Sequence, residues 1–347
     1  MDKKEMLKIL SSDDENLIED VFNRAYRIKL ENVGSKVYFR GIVEFSNICI
    51  KDCFYCGIRK SNNAIERFSM REDEIVEAAI FADKNGYGSI VLQSGERLDE
   101  EFVAFVESIL RTIKQKTDNR LGITLSLGEQ SAQTFQRWFE AGAHRYLLRI
   151  ETSNKDLYQR LHPDDHCYGA RLKCLDILNN IGYQVGTGVM IGLPYQTCED
   201  LVNDIMFFQK QDIDMIGMGP YIIHKNTPLA TTSDFDQQRN FILGLKMIAL
   251  TRIHLKDVNI AATTALQALS PQGREEGLKV GANIIMPNVT SVKYRNLYKL
   301  YDGKPCLDEN ANACQACLRG RVQSVGEEIG YDQWGDSPHY LKRSNLK

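Results

Sequence analysis

Nine cysteines stand in this chain of 347 residues, and three of them fall in one short run, Cys49-Ile-Lys-Asp-Cys53-Phe-Tyr-Cys56. Such a CxxxCxxC loop offers three thiolates to one centre. A structural zinc site takes four protein ligands. No fourth ligand stands adjacent, so zinc would need a remote histidine. A four-iron, four-sulfur cluster held by only three cysteines leaves one iron open to an outside ligand, which is a chemically useful vacancy. Cys306, Cys314 and Cys317 form a second group, CxxxxxxxCxxC, that suits zinc or a second cluster. Cys167, Cys174 and Cys198 stand alone and read as small core hydrophobes.

Composition narrows the setting. Lys plus Arg is 43 and Asp plus Glu is 46, a net charge of −3. That balance lacks the basic excess a nucleic-acid partner requires. No apolar run approaches the roughly 18 residues of a membrane span, so no membrane partner is expected either. The start, Met1 to Leu10, is polar and mixed in charge, unlike a signal or transit peptide. The expected compartment is the cytoplasm, where reducing conditions make clustered cysteines metal ligands rather than disulfides.

The elements that must position these residues follow from periodicity. Apolar runs with β character occur at Val37–Phe45, Ser89–Gln93, Gly122–Ser126, Arg145–Ile150, Gln184–Ile191, Asp214–Gly219, Asn259–Thr263 and Ala282–Met286. Between them lie amphipathic stretches at Glu72–Asn85, Glu100–Gln115, Gln130–Ala141, Arg171–Ile181, Glu199–Gln211 and Arg239–Leu255. Gly86, Gly142 and Gly182 suit left-handed helix ends. Eight strand-helix units predict an α/β protein, a (β/α)8 TIM-type barrel over residues 36–300. A helical extension (1–35) precedes it, and a C-terminal extension (301–347) carries the second cysteine group. In such barrels the chemistry sits at the C-terminal ends of the strands.

What sits at those ends resembles the radical S-adenosylmethionine (SAM) superfamily. The cysteine loop matches its signature, with Tyr55 before the last cysteine in the place of a residue that packs near adenine. The resemblance makes Cys49, Cys53 and Cys56 the ligands of a catalytic [4Fe-4S] cluster whose open iron is chelated by SAM. Gln93-Ser94-Gly95-Glu96 resembles the turn that meets the methionyl ammonium, with Ser in place of the usual first Gly, and Ser126-Leu-Gly-Glu129 places a second polar set at the same rim. Arg149 and Glu151 lie two apart on a strand and point the same way, so a partner or a ligand must satisfy them. The resemblance assigns Glu151 to SAM, Arg149 to the cavity and Arg171 to the SAM carboxylate. Met190 and Gly192 fall in a stretch similar to the adenine-contacting GxIxGxxE, although Tyr195 occupies the Glu position.

One family within the superfamily is resembled over residues 35 to 317. Its motifs here are Glu44-Phe-Ser-Asn-Ile-Cys49, Val91-Leu-Gln-Ser-Gly-Glu96, Thr124-Leu-Ser-Leu-Gly-Glu129, Arg145-Tyr-Leu-Leu-Arg-Ile-Glu-Thr152, Met215-Ile-Gly-Met-Gly-Pro220, Asn259-Ile-Ala-Ala-Thr-Thr264 and Gly281-Ala-Asn-Ile-Ile-Met-Pro-Asn288. Together they look like the [FeFe]-hydrogenase maturation radical-SAM enzymes of the HydE type. The resemblance implies a 5′-deoxyadenosyl radical acting on an organometallic synthon of Fe, CO, cyanide and cysteine, on the way to the hydrogenase two-iron subcluster. It implies substrate contacts at Arg40, Arg149, Thr263, Thr264, Met286 and Tyr298. Tyr298 is expected in the last helix before the C-terminal cysteines, reaching the cavity from below or packing. Cys306, Cys314 and Cys317 are similar to the family's peripheral site for a second iron–sulfur cluster, [2Fe-2S] or [4Fe-4S]. Implied partners are the other hydrogenase maturases and an electron donor.

Two competing readings stay open. A radical-SAM mutase of the methylornithine-synthase type, acting on a small amino acid, would need a carboxylate and ammonium clamp, which Arg149 and Glu129 could supply. A non-catalytic iron–sulfur or zinc protein is the other; an electron carrier would use four cysteines to avoid an open iron.

Overall fold

The computed structural model describes residues 1–232, 235–309 and 311–344. Eight parallel strands form the centre: β1 (Lys36–Ser46), β2 (Ser89–Ser94), β3 (Gly122–Ser126), β4 (Arg145–Leu147), β5 (Gln184–Thr187), β6 (Met215–Ile216), β7 (Asn259–Ile260) and β8 (Ile284–Ile285). They pair in the order β8-β1-β2-β3-β4-β5-β6-β7. The path closes on itself: Asn283 N donates to Ile260 O and Ala262 N to Ile284 O, both at 2.9 Å. The expected barrel is therefore present.

Five expected strands are shorter or broken: Asn259–Thr263 and Ala282–Met286 pair only over Asn259–Ile260 and Ile284–Ile285, and for the other three the reason is visible. Gln184–Ile191 and Asp214–Gly219 each split, and their ends, Met190–Ile191 and Gly219–Pro220, pair separately. At the break Gly188 lies so close to the neighbouring strand that a Cβ would sit 2.2 Å from Gly217 O. Strand β4 stops at Leu147 because the Thr187 hydroxyl takes over the ladder. It donates to Leu148 O (2.8 Å) and accepts from Ile150 N (3.1 Å).

The helices ring the barrel as their apolar spacing requires: α1 (Lys3–Ser11), α2 (Glu15–Asn32), α3 (Glu72–Lys84), α4 (Glu100–Lys116), α5 (Ala132–Glu140), α6 (Lys155–Leu161), α7 (Tyr168–Ile181), α8 (Cys198–Lys210), α9 (Gln237–Leu255), α10 (Thr264–Leu269), α11 (Gly273–Lys279), α12 (Val292–Arg295), α13 (Ala311–Ser324) and α14 (Pro338–Ser344). Asp99 and Ser131 cap α4 and α5 through their side chains, each satisfying an orphan N–H of the first turn. Helix α7 ends on Gly182 at φ +106°, as its glycine predicts. None of the described helices is long and apolar enough to cross a membrane.

The chain's last segment closes the floor of the barrel. Residues Glu328–Ile329 pair with the start of β1, and Gln333 follows against Gly88, where a Cβ would sit 1.8 Å from Gln333 O. Asp336 then reaches the buried Arg145 (2.6 Å) and Gln184 (2.9 Å). Helix α14 is tied down by Arg343 on Asp214 (2.6 Å) and by His339 between Asp212 (2.7 Å) and Asp257 (3.3 Å).

The hydrogen bond to Asp257, with that to Asp212 and against the cost of burial, raises the His339 pKa to about 9. A raised histidine stabilises the fold fully below its unfolded value of about 6.5 and loses that contribution as pH rises through 9. Thermal melting should therefore weaken from pH 7 to 9.5. His339→Gln should melt roughly 2–4 °C lower at pH 7 and lack the histidine-dependent fall.

Candidate functional site

The loop after β1 is shaped before any ligand enters it. Asn47, wholly buried, donates to Glu66 O (2.7 Å) and Leu297 O (2.8 Å) and accepts from Phe68 N (2.8 Å). Arg67 gathers the loop's carbonyls, donating to Asn47 O (2.7 Å), Ile58 O (2.8 Å) and Arg59 O (2.6 Å). Backbone oxygens thus turn to a guanidinium, while Cys49, Cys53 and Cys56 stay half-buried on the loop, near enough for their charges to act on one another. Burial pushes the Cys53 thiol up to about 12 and raises Cys49 and Cys56 as well. Ionised sulfur is costly there without a cation to receive it.

The turn after β2 meets this loop directly. Glu96 N donates to Cys49 Sγ at 3.3 Å. A Cβ on Gly95 would lie 2.3 Å from Ile48 O and 2.7 Å from Cys49 Cβ. Only glycine fits, which explains the small-residue turn in physical terms.

From Glu96 a chain of charges runs across the strand ends. Lys51 lies 3.4 Å from Glu96 and 2.9 Å from Glu129, and Glu96 accepts Glu129 N at 2.9 Å. Arg171 donates to Glu129 (2.6 Å) and to Arg149 O (2.6 Å). Arg149 stands 3.1 Å from Glu151, out of line for a hydrogen bond, and donates to Val189 O at 3.1 Å. Burial raises the Glu96 and Glu151 carboxyls. It acts on Glu129 too, but Arg171 and Lys51 together hold that group below its ordinary value. Glu151 is also held at φ +67°, a conformation that costs a non-glycine residue energy and clusters at functional sites.

Tyr55 lies on the other side of the loop. His162 Nδ1 donates to Tyr158 O (2.8 Å), so its Nε2 accepts from the Tyr55 hydroxyl (3.2 Å). Burial lowers the His162 pKa to about 3, which keeps the ring neutral in this role. Tyr55 shares an apolar wall with Met190, Leu193, Leu157 and Tyr221, a surface fit for a flat ring. Gly192 faces Asn240 instead. It sits at φ +79° with a Cβ position 2.0 Å from Asn240 Oδ1, so the protein's own packing demands the glycine.

Inside the barrel, Glu44, Gln93 and Ser126 pair in register along β1, β2 and β3. Gln93 Nε2 donates to the Tyr298 hydroxyl at 3.1 Å. Tyr298 lies in a loop beyond α12, not in a helix, and comes in over the mouth rather than from below; α12 ends at Arg295, whose guanidinium caps Asn288 O and Thr290 O. Thr264 accepts from the Tyr301 hydroxyl (3.0 Å), and the buried Thr263 hydroxyl has no partner among the described residues. Arg40 and Met286 line a cavity of about 30 Å³ lower in the barrel, roughly one water's share of liquid. Arg40 is tied from beneath, donating to Gly335 O at 3.1 Å. Glu129 does not form a clamp with Arg149: Arg171 and Lys51 occupy it.

The second cysteine group comes together in part. Cys306 and Cys314 are in hydrogen-bonding contact, while Cys317 is exposed and accepts from Arg321 at 3.4 Å. Sequence reasoning missed Arg67, His162 and the site role of Asn47. Asn47 follows β1 directly and was visible; the others act through backbone atoms or distant partners and leave no spacing signal.

The mouth of this barrel is built as in the radical S-adenosylmethionine enzymes, and residues 43–208 match the Radical SAM superfamily. The chain is 46% identical over 334 residues to the [FeFe] hydrogenase maturase subunit HydE of Thermotoga maritima, covering 96% of this chain and 93% of that protein. It belongs to the HydE family. Among solved structures, methylornithine synthase superposes with a TM-score of 0.81 at 21% identity, over 95% of this chain and 94% of that one. The maturase HydG of Carboxydothermus hydrogenoformans also gives 0.81, at 20% identity, over 100% of this chain and 80% of that one. Both likenesses are of fold.

A [4Fe-4S] cluster and SAM are the cofactors this family implies, and the residues fit them. Three half-buried thiols share one loop, a backbone N–H already points at one sulfur, and Glu96 Oε1 and Glu151 Oε2 are buried carboxylate oxygens that, among the described residues, each have an ion-pair neighbour but no hydrogen bond. Gly95→Ala should lower iron and sulfide content after anaerobic reconstitution to well under half, with a matching loss of the reduced-cluster EPR signal.

Proposed function

We propose that this radical-SAM enzyme of [FeFe] hydrogenase maturation acts on an Fe–CO–cyanide–cysteine synthon during assembly of the two-iron subcluster. When bound, the cluster at Cys49, Cys53 and Cys56 supplies the electron that splits SAM into methionine and a 5′-deoxyadenosyl radical. This chain's residues do the rest. Gln93, Ser94, Gly95 and Glu96 receive the methionyl ammonium, with Ser126 on the same rim, and Arg171 the carboxylate. Glu151 meets the ribose or methionyl part, while Tyr55, Met190 and Gly192 bound the adenine. Arg40, Arg149, Thr263, Thr264, Met286 and Tyr298 face the substrate.

The observation that carries this reading is a small set of polar side chains at the inner mouth over a mostly apolar barrel interior. A primary carbon radical must be kept from water. The Asp336–Arg145 floor below and the loop bearing Tyr298 above supply that exclusion. Anionic cyanide and carboxylate groups suit Arg149 and the unpartnered Thr263 hydroxyl.

The second cysteine group is read as a peripheral iron–sulfur site. Support comes from Arg274, buried with two guanidinium nitrogens that have no partner among the described residues, whose charge favours the Cys306 and Cys314 thiolates. The extension from 301 onward then carries this site and, further along, closes the floor of the barrel of 36–300. Partners follow from the family: the other maturases and an electron donor in the cytoplasm.

The test is anaerobic reconstitution, reduction and addition of SAM, following 5′-deoxyadenosine with and without the synthon. Cleavage that rises with synthon, with the adenosyl carbon captured in a new product, supports the reading. Cleavage indifferent to it redirects the search to amino-acid substrates, and no cleavage from a fully loaded protein overturns the enzyme. Cys53→Ala should abolish cleavage, whereas Cys314→Ala should retain most of it; equal loss would make the second site essential. Arg149→Ala should lower adenosyl capture about tenfold or more and uncoupled cleavage much less.

A further inference from the structure

Much of the cysteine loop is covered by other parts of the chain. Phe54 N donates to Leu161 O (2.9 Å), Asn47 N to Phe68 O (3.3 Å) and Gly57 N to Leu300 O (3.0 Å). Leu300 belongs to a strap, residues 298–306, that crosses the mouth; Asp302 N donates to Ile223 O (3.0 Å) on the opposite rim. One face of the loop stays open. Ile48 and Ile50, on either side of Cys49, are 36% and 44% exposed, and Leu98, two residues past Glu96, is 55% exposed. They stand together, because Ile50 N donates to Glu96 O (2.9 Å) and the Gly95 turn touches Ile48 O. Nine large apolar side chains are exposed among the described residues, so three of the nine gather at the loop that bears the cluster ligands. Single exposed apolar residues are ordinary, whereas a gathered patch marks an interaction site.

Positive charge frames this patch. The whole chain carries −3, yet residues 48–67 hold Lys51, Arg59, Lys60 and Arg67 against Asp52 and Glu66. Lys60 is exposed, and its backbone N–H donates to Lys51 O (2.8 Å), which sets it beside Ile50. Arg67 donates to the carbonyls of Asn47, Ile58, Arg59, Lys60 and Asn62, so its charge adds to the field of the loop. Splitting SAM consumes an electron that must come from outside the chain, and Cys49 is the ligand set between two exposed residues. We propose that Ile48, Ile50, Leu98 and Lys60 form the docking surface for an acidic one-electron carrier protein. The apolar side chains pack against the carrier beside its redox group, and Lys60 meets its carboxylates. The carrier is oxidised by one electron and the cluster reduced by one; no proton or leaving group moves. This rests on the reading of a cluster at Cys49, Cys53 and Cys56 fed by an electron donor, and says where that donor sits.

The test uses the loaded, anaerobic protein and flavodoxin, an acidic flavin carrier. Isothermal titration with oxidised flavodoxin reads docking without electron flow, at low and at high salt. SAM cleavage is then driven by flavodoxin hydroquinone and, separately, by dithionite, a small reductant that needs no docking surface. The wild-type protein should bind flavodoxin roughly tenfold more weakly at high salt. Lys60→Glu and Leu98→Glu should each weaken binding and flavodoxin-driven cleavage about fivefold or more, with iron content and dithionite-driven cleavage unchanged. Lys60→Arg should keep the wild-type affinity. Absence of binding in the wild-type protein, or binding untouched by either variant, would overturn the surface. Equal loss with both reductants would also overturn it, by placing these side chains in the support of the cluster. Failure of dithionite to drive cleavage in the loaded wild-type protein would reject the electron-fed cluster instead, while the titration still decides the surface.

Discussion

Six charges, three of each sign, hold the working end of this barrel together. Lys51, Glu96, Glu129, Arg171, Glu151 and Arg149 come from the cysteine loop, the ends of β2, β3 and β4, and helix α7. None of these elements is bound to the others by a continuous ladder at that height. Burial makes each charge expensive alone, so each fixes where its neighbours stand. The cysteine loop, the Gly95 turn and the strained Glu151 are all positioned by that mutual requirement. Three positive and three negative groups leave no net charge, while Glu96 and Glu151 each keep one oxygen that is ion-paired but not hydrogen-bonded among the described residues.

Much of this was legible in the sequence. Repeating apolar runs and glycine-ended helices specified the barrel because parallel strands buried on both faces must read apolar. The thiol loop was plain because its ligands are local. The breaks after β5 and β6 and the early end of β4 were not, since the first arise where Gly188 meets Gly217 and the second from a threonine hydroxyl that replaces backbone partners. Glu129 shows the other limit. Its place in a turn was readable, but its partners Lys51 and Arg171 lie far away in the chain, and only the folded barrel brings them to it. Tyr298 was expected in a helix, yet four residues of α12 are all that forms before Arg295 turns its guanidinium onto backbone carbonyls.

Glycine and threonine carry more of the architecture than their size suggests. Gly95 allows a turn to touch the cysteine loop, and Gly188 allows two strands to approach until their ladder breaks. Thr187 ends one strand by substituting its side chain for the backbone. These departures lie at the mouth, where the barrel gives up regular pairing to present side chains. The lower strands, where nothing has to be presented, keep their ladders.

One tail closes both ends of the barrel: residues 298–306 span the mouth, and residues 328–344 seal the floor through Asp336, His339 and Arg343. Because a chain is made from its N-terminus, all eight strands leave the ribosome before either closure exists. Both closing segments are thus made after every strand they cover, so sealing follows the building of the barrel rather than accompanying it.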